Sequence, residues 1–471
     1  MGTTNPPRPP RTSARSRAVG DSLPLSTPPD VSPSPALTAA RSALDALFGP
    51  PAGRTFAVRF WNGVVDAPDD ATPRFSLILK DAGSLRRMLL PPNELRICEA
   101  YLRGDFDIEG EVEGAAAIGE EIRRRVTSFA TVARIIRAVR ALPHDEAAHE
   151  SEPHRRAPSA LEHGGRHNPD RDAAAVRSHY DVGNDFYKLW LDERMVYSCG
   201  YFTSTNSTLD EAQEAKLDHI CRKLRLRPGD QLLDIGCGWG ALIIHAVRRY
   251  GVTALGITLS YEQAALARER IQEAGLADRC TVEVRDYRHL PPVPTFDKIA
   301  SVGMVEHVGE AQLPTYFSQA YALLRPRGLF LNHGIVHEAL RERRTIGSRI
   351  AGKFWREGAF IDKYVFPDGE LPPLATVIGA AESAGFETRD VESLREHYAR
   401  TLRNWISRLE HARERAVELV GEEVYRTWRL YMAGSAYGFA SGRLSICQTL
   451  LGKPDERGRV SIPPTRADLY A

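Results

Sequence analysis

The chain has 471 residues, enough for two domains and their tails at roughly 150 residues per domain. Hydrophobic residues make up 42% and charged residues 26%, which excludes a chain too polar to bury a core. A net charge of +1 gives no bulk attraction for nucleic acid, so no nucleic-acid partner is expected and any membrane affinity must be local.

The six cysteines (Cys98, Cys199, Cys221, Cys237, Cys280, Cys447) form no C-x-x-C pair. That spacing argues against a disulfide framework or a zinc site and fits a reducing, cytoplasmic setting; no metal is expected. No apolar run reaches the ~18 residues of a membrane-spanning helix. The first 35 residues lack the apolar stretch of a secretory signal.

In chain order, residues 1–35 are rich in Pro, Ser, Thr and Arg and are expected to be a disordered tail. Residues 36–142 read as a small α+β N-terminal domain. Its pattern predicts a helix at 37–48, strands at 56–61 and 75–79, a short helix at 84–90, then helix, Gly104 turn and helix over 97–118. Residues 119–142 read as one amphipathic helix crowded with arginine, including Arg123, Arg134, Arg137 and Arg140. Such a helix either lies on an anionic bilayer or packs its apolar face on the domain and leaves the arginines in water. Residues 143–172 are polar and aperiodic and read as a linker.

Residues 173–471 read as the larger domain, with strands at 231–235, 252–257, 280–285, 296–302 and 329–333 alternating with helices at 241–250, 261–274 and 312–324. This alternation predicts a parallel, doubly wound sheet, with a long helical region over 382–451 beside it. The turn after the first strand is D-x-G-x-G-x-G, with Asp234, Gly236, Gly238 and Gly240. Glycines between strand and helix let a nucleotide-like ligand approach the backbone, and the absence of a following Lys-Ser/Thr pair argues against a triphosphate loop. Asp234, Asp286, Glu306 and His333 fall at or just after predicted strand ends, where such sheets bind ligands.

The pieces HYDVGNDFY (from His179), MVYSCGYF, LLDIGCGWG, GITLSYEQ, EHVG, LNHGI, YVFPDGELP and HYARTLRNW occur in that order. In them the sequence resembles the cyclopropane-fatty-acyl-phospholipid synthase family, which includes the mycolic acid cyclopropane synthases. The likeness covers roughly residues 176–450, and residues 56–110 are similar to the N-terminal domain of the longer, phospholipid-acting members. It implies an S-adenosylmethionine (SAM) dependent methyltransferase of Rossmann-like fold, with helical additions that build an acyl pocket.

The resemblance assigns SAM to Tyr197, Ser198, Asp234, Gly236, Gly238, Gly240, Thr258, Leu259, Ser260, Gln263, Asp286 and Tyr287. The usual acidic ribose ligand after the second strand is absent, and residues 258–263 would replace it. It also implies a bound bicarbonate as base, held by Cys199, Glu306, His333, Ile335 and Tyr398. Four of these have a structural alternative: Cys199 as a small buried thiol, Glu306 as a helix cap, His333 as a core histidine and Tyr398 as a helix-face aromatic. Ser435 stands where the family commonly has a Cys and is read as pocket-lining. The implied reaction is methylenation of cis double bonds in unsaturated phospholipid acyl chains through a carbocation, which requires exclusion of water and gains from aromatic faces. Related enzymes stop at methylene- or methyl-branched chains, and a silent SAM- and lipid-binding protein is the remaining alternative. The expected setting is a cytoplasmic homodimer held peripherally on the inner face of the membrane, docked by the N-terminal domain.

Overall fold

The computed structural model describes residues 34–69, 72–90, 93–125, 129–143, 167–180, 182–337 and 358–469. The expected tail as far as residue 33 and most of the expected linker lie outside the described residues; Ser34 and Pro35, expected in the tail, instead cap and begin the first helix. The last residues of that linker instead open a helix.

The N-terminal domain is a four-stranded sheet in the order β2-β1-β3-β4, built from β1 (Ala57–Arg59), β2 (Val65–Asp66), β3 (Phe75–Leu79) and β4 (Phe106–Gly110). Around it lie α1 (Pro35–Phe48), α2 (Ser84–Leu89), α3 (Glu94–Arg103), α4 (Val112–Arg125) and α5 (Phe129–Arg140). Gly104 ends α3 in a left-handed conformation (φ +78°), and the chain then enters β4, a strand absent from the sequence expectation. The single helix expected over 119–142 is two helices. Within α5, Val132, Ile135 and Val139 are buried, while Arg134, Arg137 and Arg140 are exposed. Its apolar face is spent on the domain core, so what it offers outward is charge.

The larger domain holds a seven-stranded sheet in the order β10-β11-β9-β8-β5-β6-β7. The strands are β5 (Gln231–Ile235), β6 (Thr253–Thr258), β7 (Cys280–Val284), β8 (Phe296–Val302), β9 (Leu324–His337), β10 (Glu387–Ser393) and β11 (Leu444–Gly452). From β9 to β7 neighbours pair in parallel, whereas β11 runs antiparallel between β9 and β10. The sheet is therefore mixed, and the region expected to be helical over 382–451 contributes two of its strands. Its helices, in chain order, are α6 (Pro169–Tyr180), α7 (Asn184–Lys188), α8 (Leu209–Lys223), α9 (Ala241–Tyr250), α10 (Tyr261–Glu273), α11 (Leu313–Leu323), α12 (Ala359–Tyr364), α13 (Leu374–Ser383), α14 (Arg395–His411) and α15 (Arg413–Ala440). No helix among the described residues is long and apolar enough to cross a membrane.

An ionic seam joins the two domains. From α15, Arg429 donates Nη1 to the Tyr101 hydroxyl (2.8 Å) and Nη2 to the Ile108 carbonyl (3.2 Å), and its Nε pairs with Glu410 (2.7 Å). Arg426 donates to the Tyr101 carbonyl (3.0 Å) and to Asp107 (2.9 Å). Arg403 on α14 grips Glu113 with two bonds. Buried charges stay only where such partners hold them. Truncating Arg429 leaves those acceptors unpaired, so Arg429→Met should lower unfolding stability by about 3 kcal/mol, measured by urea denaturation.

Candidate active site

The site grows from the turn after β5. Gly236, Gly238 and Gly240 have φ of +82°, +53° and +81°, a region that side-chain-bearing residues rarely occupy. The turn is pinned when the amides of Gly236 and Cys237 both donate to the Ile257 carbonyl on β6 (2.9 and 3.0 Å). Above it is a pocket of about 130 Å³.

Of the residues expected to hold SAM, Tyr197, Ser198, Asp234, Gly236, Gly238, Thr258, Leu259, Gln263, Asp286 and Tyr287 line this pocket. Gly240 and Ser260 do not. Gly240 instead starts α9, where a Cβ would press on Ala267 at 3.3 Å. Ser260 caps α10 by accepting the Gln263 amide (3.2 Å). Thr258 Oγ1 donates to Gln263 Oε1 (2.8 Å) and so orients that side chain beside the pocket.

Sequence reasoning missed several pocket residues. Lys216 of α8 is 2% exposed and donates Nζ to Ser198 Oγ at 2.9 Å. Burial lowers its pKa to about 8. Burial raises that of Asp234 to about 7, with Lys216 pulling it back. Asp234 lines the pocket, and its Oδ1 is buried with no hydrogen-bond partner. Arg288 binds Asp286 through Nε and Nη2 and also holds Asp172 of α6 at 3.0 Å. It therefore ties the helix over the pocket to the strand-end loop below.

A second cavity of about 730 Å³ adjoins the first. Tyr180, Tyr197, Ser198, Gly303 and His307 line both. Four of the five residues expected at the base line the large cavity beside this junction: Glu306, His333, Ile335 and Tyr398. Ser435 lines it too, in the position expected. Cys199 does not: it is fully buried, its Sγ points to the Gly200 and Leu394 carbonyls (3.3 and 3.7 Å), and burial pushes its thiol pKa up. It behaves as a packed thiol rather than a cavity donor.

Glu306 Oε1 accepts the Ile335 amide at 2.7 Å, so that amide is spent on the glutamate rather than left for a ligand. Oε2 is buried with no partner, and burial raises the carboxyl pKa to about 7. Gln448 Nε2 faces His333 Nδ1 at 3.2 Å. With the amide donating, the imidazole proton sits on Nε2, which is buried and unpartnered. Burial, reinforced by Lys216 and Lys223, keeps His333 neutral. One acceptor and one donor are thus buried without partners on two residues that line the same cavity, and Tyr398 lines it too.

The raised carboxyl pKa has a consequence for stability. Unfolded Glu306 titrates near 4.5 and folded Glu306 near 7, so the fold favours the neutral form. That contribution is complete below the unfolded value and is lost as pH rises through about 7. Glu306→Gln, which is never ionised, should therefore be more stable than wild type at pH 8.5, by up to about 3 kcal/mol, and equal to it at pH 4. Thermal unfolding at the two pH values measures this.

A Rossmann-like sheet with a glycine turn, a capped pocket at the strand ends and an apolar cavity beside it defines a SAM-dependent methyltransferase. The profile of the mycolic acid cyclopropane synthetase family matches residues 167–449. A relative named probable fatty acid methyltransferase, from Pseudomonas putida, is 41% identical over 399 residues, covering 85% of this chain and 92% of its own. The structure of a cyclopropane synthase from Mycobacterium tuberculosis aligns with a TM-score of 0.56 at 34% identity, over 60% of this chain and 98% of that one. A mycolic acid cyclopropane synthase complexed with SAH and CTAB aligns with the same TM-score at 36% identity, again over 60% and 98%. The chain belongs to this cyclopropane synthase family and uses SAM as methyl donor.

Proposed function

We propose that the protein transfers the SAM methyl group to a cis double bond of a phospholipid acyl chain and closes a cyclopropane ring. The observation that supports this reading is the adjacency of the two cavities: the pocket at the strand ends shares Tyr180, Tyr197 and Gly303 with an apolar cavity large enough for a hydrocarbon chain. In the reaction the alkene π electrons attack the methyl carbon and the C–S pair returns to sulfur. The resulting carbocation loses a proton from the new methyl group, and the freed C–H electrons close the ring.

Tyr180, Tyr197, Phe366 and Tyr431 present aromatic rings to the cavity, where they exclude water and favour the cation. The unpaired Glu306 Oε2 and His333 Nε2, with Tyr398, fit an oxyanion that carries one proton, so these residues would hold bicarbonate. When bound it supplies the oxygen base that takes the methyl proton. Glu306 orients by accepting, and His333 by donating. Cys199 and the Ile335 amide have no part in this set, for the reasons given above.

The exposed Arg134, Arg137 and Arg140 of α5 support adsorption to an anionic cytoplasmic leaflet by charge rather than by insertion. A second reading, formation of a methylene- or methyl-branched chain, is favoured by the name of the Pseudomonas relative. The test incubates the purified protein with SAM and dioleoyl phosphatidylglycerol vesicles and takes a proton NMR spectrum of the released fatty acid esters. Upfield ring-proton signals support the cyclopropane reading. Exocyclic methylene or new methyl signals support the second, and unchanged oleate contradicts both.

A further inference from the structure

The large cavity does not end at the methyl-transfer junction. It continues between α4 and α15 into the N-terminal domain. Small residues wall the passage: Ala115, Ala116 and Gly119 on α4, Gly434, Ser435 and Gly438 on α15. Glycine inside a helix destabilises it by about 1 kcal/mol relative to alanine. At Gly434 packing does not demand it, because a Cβ built there meets nothing within 4 Å. Its absence leaves room in the passage.

Beyond the passage the lining is hydrocarbon. Leu44 and Leu47 of α1, Leu77 of β3, Leu85 and Met88 of α2, and Ile122 of α4 all line this end and are at most 6% exposed. The polar groups nearby are engaged: the Tyr101 hydroxyl accepts from Arg429, and Glu94 Oε2 accepts the Gly358 amide at 2.9 Å. A charged head group would find no solvation there, whereas a terminal methyl needs none. The end is also fixed in place, since the Arg403, Arg426 and Arg429 seam clamps the N-terminal domain to the helices that carry the junction. All of these distal residues precede residue 167, where the family match begins. The two aligned cyclopropane synthase structures are covered almost whole by 60% of this chain.

We propose that the N-terminal domain is a ruler for the acyl tail. The methyl end of the chain passes between α4 and α15 and stops against Met88 and Leu44, so the domain sets how many carbons can lie beyond the reacting double bond. This rests on the reading of the substrate as an acyl chain.

The test uses the full chain and mixed vesicles of phosphatidylglycerols whose double bonds are equally far from the carboxyl group but whose tails beyond them differ in length. Relative kcat/KM is read by competition. One methylene in an apolar pocket is worth about 10–200-fold. Ala116→Leu should therefore shift preference toward short tails by at least about 10-fold with SAM affinity unchanged, and Met88→Ala should shift it toward long tails. An equal loss on every tail overturns the proposal.

If wild type turns over none of these lipids, the functional reading fails, and binding still reads the ruler. Thermal shifts with alkyltrimethylammonium ligands of rising chain length should plateau at a shorter chain in Ala116→Leu than in wild type. The same plateau in both overturns it. Gly434→Leu, whose Cβ meets nothing within 4 Å, takes the place of Ala116→Leu should the latter fail to fold.

Discussion

Glu306→Gln should lower turnover by about 10³-fold while changing SAM affinity less than about twofold. A positioned acid–base group contributes typically about 10²–10⁴-fold. Among the described catalytic candidates, Glu306 is the one carboxylate with a buried, unpaired oxygen, and it lines the large cavity. The amide variant keeps the shape and can still accept the Ile335 amide, so the cavity persists. What it loses is the negative charge that orients a protonated oxyanion. The carboxyl titrates near pH 7, so wild-type activity should rise with pH through that value. The acidic limb should vanish in the variant. Single-turnover rates across pH, with SAM affinity measured by calorimetry, test both statements. A variant with wild-type turnover and an unchanged pH profile would mean that Glu306 is structural.

Gly236→Val should weaken SAM binding by at least about 100-fold. At φ +82° a β-branched residue is strained by about 1–3 kcal/mol. Its Cβ would sit 3.5 Å from Met304 Cβ, and its methyl groups would fill the space above the turn. Both effects oppose the ligand, since the pocket is only about 130 Å³. Gly236→Ala separates them, because it keeps the strain and lacks the methyls. Calorimetric titration of SAM into the two variants should give a clearly larger loss for valine. Equal losses would assign the effect to the backbone alone.

The part of the fold legible in the sequence is the part whose signals are local. Strand β5, its glycine turn, α9 and β6 are contiguous, and their pattern alone places the pocket at the strand ends. Strands β10 and β11 were not legible. The nine residues of β11 form a largely apolar run that periodicity cannot separate from a buried helix, and β10 is polar because it lies at the sheet edge. Their antiparallel pairing with β9 is a long-range fact. Likewise β4 is a short strand after a glycine turn, and the arginine-rich stretch gave no sign that it divides in two.

At the site, ten of the twelve residues that the resemblance assigns to SAM line one pocket, and Gly240 and Ser260 serve the helix starts beside it. Lys216 was invisible because a lysine on an amphipathic helix ordinarily belongs to water. Only the packing of α8 under Ser198 shows that it is buried. The N-terminal domain changed most in meaning. From sequence it is expected to be a docking module; in three dimensions its residues wall the large cavity, and no local pattern could announce that.

On the proposed mechanism, an acyl chain in the large cavity is alkylated at its junction with the SAM pocket and then loses a proton from the transferred carbon. The most direct measurement supplies SAM bearing a trideuterated methyl group together with oleoyl phospholipid vesicles and takes the mass spectrum of the acyl chains. Each product chain should carry one added carbon with two of the three deuterium atoms. Retention of all three, or an unmodified chain with SAM bound, would contradict that mechanism.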